Sequence, residues 1–587
     1  MAMIKKHNAV VLLITINLLW LALACSSMHP ADMILLNGKI ITVDKHFTIA
    51  EAVAVRNGRI VAVGSNAEMR KLTGSKTKTI DLKGKAVIPG LIEAHLHPES
   101  ASLSELREEI PDLHTVIDLL DWIKKQALQK EQGEWIIHPK MFFTRLKELR
   151  QPTLAELDRV APGNPVFLNG SFGGMINSAA MRASGIQKKT NHPGIIRDKK
   201  TGRLTGFIRA SAFALLKLPQ EKALSYDQKL DALKAMLKRY NRFGITSICS
   251  GEGDFSNFRI YNDMHQRQIL TTRVFQNILL QPDSAHTLKM ILDTLKRCRY
   301  TTGFGDEWVR IGALKIVLDG GILTGTAYLD RPWGNKAADI FGIEDTSYRG
   351  VLNYSREEVR EVVMDAARLN WKFTAHSTGG GGVDLLLDVF EEVNRTIPIA
   401  GKRFSIIHGN FFSPDAILKM KQLGIYADMQ PAWFYKDADA MQSILGKDRI
   451  RSFHPYNSMV KAGIVINGGS DHMVKWDANT SINPYNPFLA MWTMITRTTE
   501  RGTVIFPEEA IGREDALRIY TINNAYASFE ESLKGSIEPG KLADMAVISD
   551  DILTCPVDQI RNIESVLTLV GGEAVYFSDE PGTAIQK

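Results

Sequence analysis

The sequence predicts an α/β protein built on a (β/α)8 TIM barrel, with β segments at both chain ends and a subdomain inserted after the first barrel strand. Three observations carry this. Eight short apolar runs alternate with helical stretches through the middle of the chain, which argues a parallel sheet with helical crossovers. Turn-punctuated β runs occupy both ends. The chain between the first and second apolar runs, residues 98–235, is far too long for a barrel loop.

At the N-terminus, Lys5 and Lys6 precede an apolar stretch from Ala9 to Ala24, broken only by Thr15 and Asn17. A short apolar run behind lysines, closed by a small residue, reads as a secretory signal rather than a spanning helix. Leu21-Ala22-Leu23-Ala24-Cys25 is similar to the end of a bacterial lipoprotein signal. That resemblance implies removal of residues 1–24, lipidation of Cys25, and export to the bacterial cell envelope. The protein would then be held by its lipid anchor on the periplasmic face of the membrane, with the outer membrane the expected one. Cys249, Cys298 and Cys555 remain, an odd number without short spacings, so neither a disulfide framework nor a cysteine metal site is expected.

The mature N-terminal region, residues 25–86, has Met33–Leu36, Asn37-Gly38 and Lys39–Val43, then Ala52–Val55, Asn57-Gly58 and Arg59–Gly64. Asn-Gly between apolar runs is a strong hairpin signal. The C-terminal region, residues 536–587, carries Ala543–Ile548 and a strand-like stretch from Ser565 to Phe577 that turns at Gly571-Gly572. The two ends are expected to pair into one composite β domain.

Between them, residues 87–535 carry the eight barrel candidates. These are Val87–Ile92, Gly244–Ile248, Thr272–Phe275 and Ile311–Leu318, then Phe373–His376, Phe404–His408, Ile425–Asp428 and Ile464–Asn467. Helical text such as Arg356–Arg368 and Gly382–Val393 lies between them.

A chain of 587 residues exceeds one ordinary core, at roughly 100–200 residues per domain. With 44% hydrophobic and 23% charged residues, disorder, collagen and coiled coil are excluded. The formal charge of +6 comes from 71 basic against 65 acidic residues with no Lys/Arg block, so nucleic acid is not an expected partner. Removing residues 1–24 leaves 69 basic and 65 acidic residues, a charge of +4. A homo-oligomer is compatible with the sequence and not required by it.

Barrel enzymes place reacting groups at the C-terminal ends of their strands. The first candidate leads into His95-Leu96-His97, and residues two apart in a strand share a face, so both imidazoles can reach one ion. His376 ends the fifth candidate and His408 the sixth, and Ser470-Asp471-His472 follows the eighth. Lys315 sits inside an apolar run, where an unpaired charge is expensive. It reads either as a salt-bridged interior lysine or as a neutral, modified lysine acting as an oxygen ligand, since burial lowers a lysine pKa. Asp319, Tyr328, Arg331 and Trp333 after strand four, with Trp433 and Phe434 after strand seven, are the candidates for substrate contact.

His95-x-His97, Lys315, His376, His408 and Asp471 together resemble the metal-dependent amidohydrolase superfamily, in its amidohydrolase-3 branch near the N-substituted formamide deformylases. The text from Val87 to His97, from Leu314 to Gly321 and from Gly535 to Asp544 supports this, and the resemblance runs from Ala31 to Phe577. It implies a composite β-sandwich from the two ends and a divalent site, usually Zn²⁺. His95, His97 and Asp471 would hold one ion and His376 and His408 a second, with a carboxylated Lys315 bridging them. Zinc takes imidazole and carboxylate ligands and, in catalytic sites, keeps an open position. The implied chemistry is hydrolysis of a C–N bond in a small-molecule amide, formamide or cyclic amide by a metal-activated hydroxide. Asp471 is the implied catalytic proton shuttle.

One departure stands out. Related sequences often carry Gly-His shortly before an Asn-Ser pair in the inserted subdomain, and Asn169–Ser178 contains no His. Asn177 and Ser178 remain, and a helix-capping role suits them equally well. The same site would also serve lactone or phosphotriester hydrolysis, since a fold does not fix the bond. A non-catalytic binding lipoprotein is the non-enzymatic alternative.

Overall fold

The computed structural model describes residues 29–578 apart from 107–108, 199, 221–222, 283–285 and 344. The leader and Cys25 lie outside the described residues. Among those described, no helix is long and apolar enough to cross a membrane, and Cys249, Cys298 and Cys555 are free thiols.

Eight parallel strands form one nearly closed barrel in chain order. They are Leu91–Leu96, Ile245–Ser250, Arg273–Leu279, Val309–Val317, Phe373–Ser377, Ser405–His408, Tyr426–Met429 and Ile466–Gly468. Strands one and eight meet at the seam through loop backbone. Asp471 N donates to His95 O at 2.7 Å, and His97 N donates to His472 O at 2.8 Å. Parallel strands covered on both faces read as continuous apolar runs, which is why strands two to eight and the start of strand one are visible in the sequence.

The helices between them bury one face. In Arg356–Arg368 a Ser355/Glu358 capping box starts the helix, and Val359, Val362, Val363, Ala366 and Ala367 are buried at i, i+3, i+4 spacing. Helix Tyr226–Asn241 joins the same core through Leu230, Leu233, Leu237 and Tyr240. The expected insertion limit at residue 235 therefore falls inside a helix that packs on the barrel.

The first predicted barrel run is two strands. Ala86–Pro89 pairs with Met545–Ile548 in a different sheet, and Leu91–Leu96 is the barrel strand. The chain changes sheets at Gly90, which packs so tightly on strand two that a Cβ there would lie 2.2 Å from Thr246 Oγ1. His95 accordingly sits within the strand rather than after it.

A six-stranded sheet joins both chain ends, in the order Glu573–Phe577, Ser565–Val570, Met545–Ile548, Ala86–Pro89, Lys39–Ile41 and Ile49–Ala50. A four-stranded sheet holds Arg59–Gly64, Ala52–Arg56, Met33–Leu36 and Lys78–Asp81. Leu35, Val53 and Val55 of the smaller sheet share a core with Ile40, Val87, Val547 and Leu567 of the larger. Asn57-Gly58 and Gly571-Gly572 are two-residue hairpin turns with positive φ at both positions.

Asn37-Gly38 is not a hairpin. Met33–Leu36 pairs with Ala52–Arg56 and Lys78–Asp81, while Lys39–Ile41 enters the other sheet. The turn is tied sideways, with Asn37 N donating to Asn66 Oδ1 at 2.7 Å, and it passes the chain between sheets.

The insertion after strand one has a five-stranded sheet, Ile195–Arg197, Leu204–Arg209, Gly173–Ile176, Val166–Asn169 and Ile136–His138. Asn177 is structural here. Its Oδ1 accepts from Ala180 N and Val166 N, and its Nδ2 donates to the Ala161 and Asn164 carbonyls, all at 2.9 Å. Ser178 Oγ donates to Asp158 at 2.7 Å. Asn177 is the helix cap, and Ser178 opens the helix tied to Asp158.

Candidate metal centre

Strand geometry turns His95 and His97 toward one point, and the loop after strand eight brings Asp471 to it. One ligand atom from each of the three lies within 4.8 Å of the others, and all three residues are buried. His97 Nε2 is 3.0 Å from Asp471 Oδ1, and His95 Nε2 is 3.5 Å from the same oxygen. Neither ring nitrogen of His95 makes a hydrogen bond. A buried imidazole with two unpartnered nitrogens is costly, and a divalent ion would satisfy one of them.

Ring centroids of His95 and His408 are 5.4 Å apart, and those of His376 and His408 4.6 Å apart. His376 Nε2 is 3.2 Å from Gly320 O, and His408 Nδ1 is 2.7 Å from Gln430 Oε1. Each imidazole is thereby held by one nitrogen, leaving the other available. His408 and Asp471 have left-handed backbones, φ 72° and 58°. Such conformations cost energy in non-glycine residues and gather at functional sites.

Burial, with Lys315 the next cause, holds His95 well below the ordinary histidine range. Burial and the His408 and Lys315 charges do the same to His376. His408 is pushed down to about 4, chiefly by burial, against the pull of Asp471. The three rings are therefore neutral, as a metal ligand must be. Burial works to raise Asp471, but the His97 hydrogen bond and the His408, His97 and Lys315 charges outweigh it and hold the carboxyl at about 2. Lys315 is only 2% exposed, and burial lowers its pKa against Glu252 and Asp471. Glu93, inside strand one, is pushed up to about 8 by burial, although its carboxylate accepts from Ser470 N and His95 N.

A cavity of about 780 Å³ is lined by His95, His97, Lys315, His376, His408 and Asp471 together. Phe142, Phe172, Leu280, Trp433 and Val474 supply apolar wall. Phe142 and Phe172 come from the insertion. Phe172 lies in the segment without the expected Gly-His, and its ring stands 5.4 Å from that of His376.

Of the six substrate-contact candidates, the cavity takes only Trp433, and Phe434 is fully buried in a secondary core. Asp319 is fully buried under the loop, accepting from Tyr328 N, Thr378 N and Gly379 N at 2.9 Å each. The Tyr328 ring packs under Arg349. The Arg331 side chain is 64% exposed beside Asp330. Trp333 is buried in a secondary core, with Nε1 donating to Ala327 O. Asp319, Tyr328 and Trp333 hold the loop, Arg331 faces solvent, and none of the four lines the cavity.

The sequence reading missed two charged wall residues. Glu252, just past strand two, has Oε2 3.4 Å from His97 Nδ1 and follows the same strand-end rule as the other site residues. Lys140 belongs to the insertion, where that rule is silent.

A nearly closed barrel with clustered imidazoles and a carboxylate at its strand ends is the arrangement of a metal-dependent hydrolase. The amidohydrolase family model matches residues 78–576, and the chain belongs to that family. It is a hydrolase acting on carbon–nitrogen bonds. An N-substituted formamide deformylase of Arthrobacter pascens is 28% identical over 559 residues, spanning 93% of this chain and 98% of the relative. A putative amidohydrolase of Bacillus subtilis is 25% identical, spanning 90% and 96%. The fold is shared with an uncharacterized metal-dependent hydrolase from Pyrococcus horikoshii, with TM-score 0.66, 21% identity and coverage of 90% and 99%. It is also shared with a Zn-bound adenosine deaminase from Xanthomonas campestris, with TM-score 0.51, 15% identity and coverage of 94% and 95%. The family and the buried His95–His97–Asp471 cluster together support divalent-metal use.

Proposed function

We propose that the protein hydrolyses the C–N bond of a small-molecule amide, formamide or cyclic amide, with Asp471 as the proton shuttle. One observation carries the reading: six residues read from sequence as a metal-site set line a single cavity. Similarity to a formamide deformylase along almost the whole chain supports the bond type.

The donors fit a divalent ion, and neutral imidazoles beside a carboxylate suit zinc. His95, His97 and Asp471 would hold one ion, and His376 and His408 a second. The depressed pKa of buried Lys315 favours the free amine that carboxylation requires, and the modified lysine would bridge the pair. A divalent ion in such a site lowers the pKa of water and polarises a carbonyl. Asp471, ionised at neutral pH, accepts a proton from the attacking water and delivers it to the departing nitrogen. Gln430 and the Gly320 carbonyl fix the rings of His408 and His376. Phe142, Phe172 and Trp433 exclude water around the scissile bond.

The leader supports an exported protein anchored by lipid at Cys25. Fractionation of cells expressing the wild type and Cys25→Ala would check this, with loss of envelope association as the expected result. The activity itself is tested by chelating the metal, reloading with zinc, and assaying amides and formamides beside lactones and phosphotriesters. Zinc-dependent turnover of the C–N panel is expected. Turnover confined to esters, or equal turnover without metal, overturns the proposal.

A further inference from the structure

The chemistry above leaves two charged groups of the cavity wall without a task, Glu252 and Lys140. Lys140 follows the insertion strand Ile136–His138 and lines the cavity beside Ser171. Its ammonium donates to Ser171 Oγ, and among the described residues no carboxylate lies within ion-pairing distance of it. An ammonium has three donors, so two are left for a ligand.

The pair is built rather than incidental. Met141 N, next to Lys140, donates to Asn169 O at 2.6 Å. Asn169 Oδ1 accepts from Ser171 N at 2.8 Å. Asn169 thus fixes both partners, and Ser171 is held with a left-handed backbone, φ 70°.

We propose that Lys140, steadied by Ser171, binds a carboxylate on the substrate, so that the preferred substrates are amides or formamides carrying one carboxylate away from the scissile C–N bond. The inference rests on the hydrolytic reading of this cavity and names its substrate class. Two remaining ammonium donors match one carboxylate, whereas Glu252 and Asp471 on the same cavity oppose a dianion such as phosphate. The apolar walls take up the substrate's hydrocarbon. A neutral substrate that displaced water would leave a buried ammonium under-satisfied, which disfavours it.

Equilibrium binding to zinc-loaded protein tests the idea, using N-formylphenylalanine against its uncharged carboxamide. The wild type should prefer the carboxylate by about 10- to 100-fold, the value expected of a charged hydrogen bond. Lys140→Met should abolish the preference by losing carboxylate affinity without losing carboxamide affinity, with zinc content and melting temperature within a small margin, and Lys140→Arg should restore part of it. Equal affinities in the wild type overturn the proposal. So does a preference that survives in Lys140→Met, because the carboxylate would then be sitting on the metal. If Lys140→Met loses affinity for both ligands, the lysine is structural and the proposal also falls. Turnover of the same pair is read separately. A Lys140-dependent preference without hydrolysis would sink the C–N hydrolase reading and leave the carboxylate site standing.

Discussion

Glu93 joins the two strands that close the barrel: its Oε1 accepts the backbone amide of Ser470, beyond strand eight, at 2.7 Å, and that of His95 in its own strand at 3.3 Å. These are the backbones that carry the His95–Asp471 pair, so one buried carboxyl sets the spacing between them. A Gly469 Cβ would stand 2.8 Å from the same oxygen, so the loop fits closely around it.

Replacing Glu93 should isolate what its acceptor contributes to the seam. Glu93→Gln keeps an acceptor at the seam and should cost under about 1 kcal/mol. Glu93→Ala orphans two buried amides and opens a cavity, and should cost about 2–4 kcal/mol together with much of the bound metal. Thermal melts with parallel metal analysis check this. Equal losses in the two variants would contradict the seam role.

Metal removal should inactivate the enzyme and reloading should restore it, because His95 has no other use for its ring nitrogens. His97→Ala should retain the fold, lose metal, and lose more than about 100-fold in turnover, beyond the usual effect of an outer-shell partner. Metal content and kcat/KM measured on one preparation decide it.

Asp319 was read as a substrate contact and is instead an anchor. Its two oxygens gather three backbone amides, and Oδ1 lies 3.6 Å from His376 Nε2. In Asp319→Asn an NH₂ must replace one of those acceptors and face a donor. The variant should lose about 1–3 kcal/mol of stability, and activity should fall through kcat more than through KM because the His376 loop shifts. A change confined to KM would return Asp319 to substrate binding.

The barrel was legible because eight apolar runs each had to satisfy a parallel ladder, and because His95, His376, His408 and Asp471 follow or interrupt such runs with groups no core would choose. The seam was not legible, since nothing in Val87–Ile92 announces that Gly90 changes sheets. That depends on how close Thr246 of the neighbouring strand comes. Asn37-Gly38 has the text of a hairpin, but long-range pairing with Lys78–Asp81 decides where its strand goes. Trp333 and Tyr328 looked like recognition residues because they are aromatic and on a loop; the loop is long enough to own a core, which Trp333 helps build, while the Tyr328 ring packs under Arg349. Lys140 carried no signal, because its neighbour Ser171 is thirty-one positions away and the two meet only through the insertion's sheet.

The same inserted sheet supplies a pH test remote from the metal centre. His138 is buried with neither ring nitrogen hydrogen-bonded, its ring edge-on to Trp122 at 5.4 Å. Burial pushes its pKa from the ordinary 6.5 down to about 4, opposed only weakly by the Lys140 backbone. The unfolded chain therefore binds a proton before the folded one does. The stability associated with neutral His138 is fully present above pH 6.5 and is lost as pH falls toward 4. The full shift corresponds to about 3 kcal/mol. His138→Phe removes the titration while keeping a flat ring against Trp122, so its melting temperature should fall less than that of the wild type between pH 7 and pH 4.5. Identical pH profiles for the two proteins would show that the ring is protonated or solvated in the folded state.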